Sequence, residues 1–571
     1  RHSLRRRLRL RPVPAESERT AQRPRPATAF GVSMLVPSAI VVIGLVVAAL
    51  VWTPYYETND DAVLNMQAAG VAFWRQPVGE LNVVSHVYGA LLARAYALLP
   101  AVPWYPLAEL AALLVAAVVG TATAVRERSS WAGPVVAAAW ALAFVVPHAV
   151  QLQFTAVAAI SAGVGAVRLA VPVRSGRGDA ALDVLAAGLI VFGALLRSSA
   201  AAFSLLVLCW PLLRSLRAAW RVRCRRRLAL AGVVLAAVVV AVQTTPADRL
   251  VAFGDDAAQE RYRAVRDVVD YGRYPVTEDE LAAAQALGWS RNDVEMLVRF
   301  WAADVHEHDL DELRGLAAVC RSRVERSGAR GAVRQAVRSL RDGAPLLAAF
   351  VLLLLVLSPR RPTLLDLAPY GVAFAAVLAL TMWLKPPPDR LSWPLFAVLA
   401  AWTASRPGAP VDASRRRLVV GALAALALLA AAGARWRALL DWHAARRAAI
   451  ATLTEDLEGF AARTDEVLVI WRFPFEHLDP WDGYAPMRSV RVLPTTATFL
   501  TRPSRLLLED LDVGPLLPAL VGSERLLFVG GLDLRDRVAL AIEEHHGTRV
   551  EFVPRFEGRV LEVSRVVSAP R

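Results

Sequence analysis

The chain has 571 residues, 56% of them hydrophobic, and a mean hydropathy of +0.40, which excludes an ordinary soluble domain. Its formal charge of +14 rests almost wholly on arginine, Lys385 being the sole lysine. Those arginines flank apolar runs, as the positive-inside rule requires, and this distribution argues against nucleic-acid binding. Cys209, Cys224 and Cys320 fall in an apolar run, a basic loop and a polar segment, a spread that excludes a disulfide framework or a metal quartet.

Residues 1–30 are rich in Arg and Pro and read as a disordered cytoplasmic tail before an uncleaved first helix. Apolar runs then follow at 35–53, 105–125, 131–147, 150–171, 182–197, 200–213, 229–244, 344–358, 365–384, 391–405 and 418–434. The stretch 82–99, "LNVVSHVYGALLARAYALLP" with its flanking residues, decides the topology. If it spans the bilayer, the basic runs "RSGRGD", "RSLRAAWRVRCRRR", "SPRRPT" and "ASRRR" all face outward, against the charge bias. It also carries His86 and Arg94, and an Arg at the bilayer centre costs about 2.5–3.5 kcal/mol. Residues 82–99 therefore read as an amphipathic or re-entrant helix. The expectation is an α-helical polytopic membrane protein with eleven transmembrane helices, the N-terminus inside and the C-terminus outside. Residues 31–434 form its membrane domain, and 54–104 make an external loop with juxtamembrane helices.

Two polar regions interrupt this pattern. Residues 245–343 read as an external helical insertion: "TEDELAAAQALG" has a capping box from Thr277 to Glu280 and a stop at Gly288, and a new helix starts at Ser290. Residues 435–571 begin helical and then give short β-rich runs, "EVLVIWR", "RLLFVGG", "RVEFVP" and "RVLEVSRVV", with one helical piece, "LRDRVALAIEEHHG". That pattern predicts a small extracytoplasmic α/β domain.

The segment "YYETNDDAVLNMQAAG", residues 55–70, places Asp60 and Asp61 outside the membrane, just after the first span. Acidic residues in a first helical turn, capped by Thr58 or Asn59, also simply complement the helix dipole. The "NDD" stretch at this position, followed by non-spanning juxtamembrane helices, resembles the GT-C superfamily of membrane glycosyltransferases. The resemblance implies a polytopic helical bundle, a polyprenyl-phosphate sugar as donor, and a loop-one Asp, here Asp60 or Asp61, that orients or deprotonates the acceptor.

The chemistry asks for the same groups: a carboxylate for the acceptor hydroxyl and cations for the departing phosphate. Arg197 in "GALLRSSAA" lies at the outer end of a span, and Lys385, Asp389 and Arg390 share the proline-rich turn "LKPPPDR". Arg197, Lys385 and Arg390 are the candidate phosphate ligands, although cations at span ends also snorkel to the interface. Asn59, His86, Gln151, Gln153 and Asp389 are candidate substrate contacts. The two glutamines, in "PHAVQLQFT", equally suit a polar turn that caps two helices.

Other motifs carry less. His306 and His308 are two apart on a helix and do not share a face; His545 and His546 are adjacent and lack the spacing of a closed metal site. Asp255 and Asp256 read as a helix start, and "GVGAVRLA" as close helix packing. A divalent cation at Asp60 and Asp61 stays open, "NDD" lacking the separated aspartates of a DxD signature. The sequence predicts an inverting-type glycosyltransferase that moves sugar from a lipid-linked donor to an extracytoplasmic acceptor. A transporter or flippase of a lipid-linked or anionic substrate, or a non-catalytic scaffold, is the alternative.

Overall fold

The computed structural model describes residues 51–570 apart from short stretches, the longest being 303–308, 323–328, 358–362, 384–388, 407–414 and 461–465, together with residues 39, 43 and 44. The first apolar run, 35–53, and the histidines His306 and His308 therefore lie almost wholly outside the described residues.

Each of the other predicted apolar runs coincides with a helix. Trp104–Glu127 leads; Ala132–Trp140 continues through a π turn, Ala141–Val145, into Val146–Val150; then come Phe154–Ala170 and Arg177–Leu196. Ser198–Val207 and Cys209–Arg221 form a pair bent by 71°. Arg225–Phe253, Ala344–Leu357, Leu364–Trp383, Asp389–Ala404 and the 45-residue Arg415–Gly459 complete the set. Four described helices are long and apolar enough to cross a membrane by themselves, and the bent pair would make a fifth. Several predicted spans are thus shorter helices. Phe154–Ala170 shows why: nearly all its side chains are buried among neighbouring helices, so contact with lipid does not set its length. Its Gly163 and Gly165 are the close-packing positions the sequence suggested, since a Cβ would stand 2.1 Å from Val398 Cγ2 and 2.4 Å from the Ala186 carbonyl oxygen.

The helices run between two ends of one layer. At the first end Tyr55–Tyr56 (β1) pairs in parallel with Gln151–Leu152 (β2), and the Ser85 N–H donates to the Leu195 carbonyl at 2.9 Å. At the other, Arg128 Nε donates to the Ala404 carbonyl at 2.8 Å and Arg227 to the Val171 carbonyl at 2.6 Å. The ambiguous 82–99 stretch contains the helix His86–Leu98, whose 13 residues reach only about 20 Å against a hydrocarbon core of about 30 Å. It buries Tyr88, Gly89, Leu92 and Tyr96 and exposes Val87 and Leu91, so apolar side chains lie on both its faces, and it packs along the first end.

The C-terminal strands form one five-stranded sheet ordered β4-β3-β5-β7-β6. Val467–Ile470 (β3), Leu526–Val529 (β5), Val550–Glu557 (β6) and Glu562–Ser568 (β7) arise from the four β-rich runs; Arg491–Pro494 (β4) is a strand the sequence reading did not identify. The helical insertion and this sheet share one core, which separate readings of the two regions did not anticipate. Trp301 meets Trp471 edge-on with ring centroids 4.9 Å apart, and Trp471 Nε1 donates to the Arg299 carbonyl at 3.0 Å. The capping box at Thr277 and the helix start at Ser290 form as the sequence predicts, and Ser290 makes a capping box of its own with Asp293. Asp456, near the end of Arg415–Gly459, accepts the N–H groups of Arg559, Val560 and Leu561 at 2.7–3.0 Å and so ties the long helix to the sheet.

Candidate active site

The site is built on the helix Asn59–Ala69. Thr58 occupies the N-cap with extended backbone, and Gly70 closes the helix in the left-handed conformation at φ 68°. A side chain at Gly70 would strike the Gln76 backbone at 2.4 Å, so this glycine fixes the tight return of the chain. The Val492 N–H then donates to the Ala72 carbonyl at 2.7 Å, bringing β4 against the loop.

The helix separates the acidic pair. Adjacent residues point about 100° apart around a helix, so Asp60 is exposed while Asp61 has no accessible surface. Asp61 is saturated with donors: Thr58 Oγ1 at 2.9 Å to Oδ2, and to Oδ1 the Tyr105 hydroxyl at 3.1 Å and the Phe154 N–H at 2.9 Å. It thereby joins the starts of three helices. The Thr58 hydroxyl makes this bond instead of capping a backbone N–H. All three donors are neutral. Burial consequently pushes the Asp61 carboxyl up to about 8, against the lowering effect of its donors, the Phe154 N–H foremost.

A second ring of polar groups surrounds it. Asn65 Nδ2 donates to the Tyr56 hydroxyl and the Tyr96 hydroxyl donates to Asn65 Oδ1, each at 2.5 Å; Tyr96 in turn accepts the Tyr105 N–H at 3.0 Å. Glu109, one turn beyond Tyr105, is fully buried and neither carboxyl oxygen has a hydrogen-bond partner among the described residues. Sequence reasoning missed Asn65, Tyr96, Tyr105 and Glu109. The available signal was the ionisable Glu109 in the apolar run "WYPLAELAALLVAAVV", since such residues within membrane segments mark functional positions.

The other predicted residues divide. Arg197, partly buried, donates from Nη1 to the Val83 carbonyl at 3.0 Å and lies over the Phe154 ring at 5.5 Å, next to the residue whose N–H holds Asp61. Gln153 is buried, and its Oε1 accepts the Ala156 N–H at 2.7 Å. It is therefore the N-cap of Phe154–Ala170, and only its Nε2, buried without a partner among the described residues, is left for other contacts. Gln151 lies in β2, half-buried, opposite Tyr55. His86 opens its helix, half-buried, with Nδ1 buried and unbonded among the described residues. Lys385 lies outside the described residues; so do the side chains of Asn59, Asp389 and Arg390, which stand at the first turns of their helices.

Asp255 caps a helix as expected, its Oδ1 accepting the Ala258 N–H at 2.6 Å. Of the two adjacent histidines, His545 joins a cluster that its sequence neighbourhood alone does not show. Folding brings Asp293 and Glu544 to His545, with ligand atoms within 4.8 Å of one another, and His545 Nε2 sits 2.8 Å from Asp293 Oδ1. Asp293 comes from the insertion and was invisible to a search for local spacing.

No family model and no curated protein matches the chain. Two solved structures do, both of ArnT from Cupriavidus metallidurans. The form bound to undecaprenyl phosphate is 14% identical and the apo form 13%. Each alignment covers 94% of this chain and 98% of the other, at a TM-score of 0.38.

Proposed function

We propose that this membrane protein is a glycosyltransferase that moves a sugar from a polyprenyl-phosphate-linked donor to a hydroxyl of an extracytoplasmic glycan, lipid or protein acceptor. The observation that carries the reading is the division of the acidic pair: Asp60 exposed, Asp61 buried and donor-saturated, on the end of the helical layer that also holds Arg197. A carboxylate without accessible surface cannot meet a substrate hydroxyl, so Asp60 is the base. It takes the hydroxyl proton as the acceptor oxygen bonds to the anomeric carbon; the bond from that carbon to the phosphate oxygen breaks, and the phosphate leaves with the electron pair. Arg197 neutralises the departing phosphate, joined by Lys385 and Arg390. Asp61 holds the first turn of the Asn59–Ala69 helix against Tyr105 and Phe154 and so aims Asp60. The N-terminus lies in the cytoplasm, and the C-terminal sheet borders the acceptor side.

The test is transfer in vesicles containing the full chain and polyprenyl-phosphate sugars extracted from membranes, followed as sugar appearing on a hydroxyl acceptor. Asp60→Asn is expected to lower the rate about 10²–10⁴-fold, the usual contribution of a general base, with the thermal midpoint unchanged. Chelation of divalent cations is run in parallel, because a cation would have to bridge an exposed and a buried carboxylate. Sugar crossing the bilayer without forming a new bond, or Asp60→Asn at the wild-type rate, overturns the assignment.

A further inference from the structure

The helix Cys209–Arg221, at the end of the layer away from Asp61, is divided lengthwise into three stripes. Pro211, Ser215 and Ala219, four apart, are buried. Ser215 Oγ donates to the Leu169 carbonyl at 2.7 Å, which seats that stripe on the end of Phe154–Ala170. At about 100° per residue, Leu213, Leu216 and Trp220 share a second stripe, and Leu213 and Trp220 are 56% and 73% exposed. Arg214, Arg217 and Arg221 form a third stripe between the second and the first, all exposed. Trp210, 49% exposed, lies within the basic stripe.

Bare apolar surface beside a row of guanidinium groups is unfavourable in water alone and suits the boundary between acyl chains and headgroups. The 71° bend after Val207 turns this helix away from the one before it, as a helix lying in the interface requires. Nearby Arg126, Arg168, Arg226 and Arg227 already engage Asp179 and Asp183, so the two carboxylates are committed and leave the exposed arginines for another anion.

We infer that Cys209–Arg221 is an interfacial helix that binds anionic phospholipid, its Arg214–Arg217–Arg221 stripe taking headgroup phosphates while Leu213 and Trp220 enter the acyl region. An acidic protein or a nucleic acid would use the arginines and leave the apolar stripe in water. Guanidinium suits this role through its paired donors to phosphate oxygens.

The full chain is reconstituted in nanodiscs of phosphatidylcholine with rising phosphatidylglycerol, as wild type and as R214Q/R217Q/R221Q. The expected result is a thermal midpoint that rises with phosphatidylglycerol in the wild type and stays flat in the variant, the two agreeing in pure phosphatidylcholine. An equal rise in both overturns the inference. So does a rise of the same size when inorganic phosphate replaces the lipid at matched ionic strength. Should the variant fail to reconstitute, the wild type decides through the fluorescence that Trp220→Phe removes. Stronger quenching by brominated phosphatidylglycerol than by brominated phosphatidylcholine supports the inference, and equal quenching overturns it. Neither outcome depends on the transferase reading.

Discussion

Asp61 and Asp183 are both aspartates without accessible surface, at opposite ends of the same helical layer, and they are held in opposite ways. Asp183 faces three guanidiniums: Arg168 Nε at 3.0 Å, Arg227 Nε at 3.1 Å and Arg226 Nη2 at 3.0 Å. Asp61 faces two hydroxyls and a backbone N–H. The first arrangement holds its carboxylate by direct charge compensation. The second leaves the carboxyl able to take or give a proton near neutral pH, beside an exposed twin. Burial alone therefore does not mark a functional carboxylate; the charge of its partners separates a clamp from a poised group.

The largest effect expected from this contrast is on stability. Asp183→Asn strips the charge from the centre of the arginine cluster, and breaking a buried pair in this way costs about 3–5 kcal/mol. Asp61→Asn replaces a carboxyl that burial keeps neutral, and it is expected to be no less stable than wild type at pH 7: the rearranged hydrogen bond costs about 1 kcal/mol, while the variant escapes the larger cost that ionisation of the unfolded carboxyl imposes on the wild type. Thermal or denaturant unfolding of both variants in one detergent measures the difference. Equal losses would mean that Asp61 is ionised and compensated like its counterpart.

The same contrast appears in pH dependence. The folded state holds a proton on Asp61 up to about pH 8, whereas the unfolded chain releases it near the ordinary value of 3.8. The contribution of this group is thus fully present below about 3.8 and is lost as pH rises through about 8, with a slope of about 1.4 kcal/mol per pH unit between them. Unfolding midpoints of wild type and Asp61→Asn between pH 5 and 9 isolate this slope. Parallel curves would remove the proton from Asp61.

Much of this architecture could be read in the residues. Apolar runs gave the helices because lipid and core both select continuous hydrophobicity, and the four β-rich runs became β3, β5, β6 and β7. Strand β4 escaped because four residues between turns, "RVLP", carry too little alternation to stand out. "NDD" located the acidic pair but could not say which member faces substrate, since that depends on Tyr105 and Phe154, 44 and 93 positions away. Gln153 shows the converse: the sequence offered it both as a substrate contact and as a helix cap, and the fold makes it the cap. The shared core of insertion and sheet was equally hidden, because Trp301 and Trp471 are each ordinary aromatic residues until the chain brings them together.

The finest test lies in a single hydroxyl. Tyr105→Phe removes one of the two donors to Asp61 Oδ1 and leaves the Phe154 N–H in place. A hydrogen bond to the ionised form lowers a carboxyl's pKa, so its loss moves the Asp61 transition to higher pH, by about one unit or less at about 1.4 kcal/mol per unit. The same change is expected to cost about 1 kcal/mol of stability at high pH and less at low pH, where the carboxyl is neutral and the hydroxyl contributes less. Unfolding curves of Tyr105→Phe across the same pH range give both numbers. A midpoint that stays still or falls would mean that the hydroxyl serves Glu109, its neighbour one turn along the helix, and that the poised carboxyl is held by Thr58 and Phe154 alone.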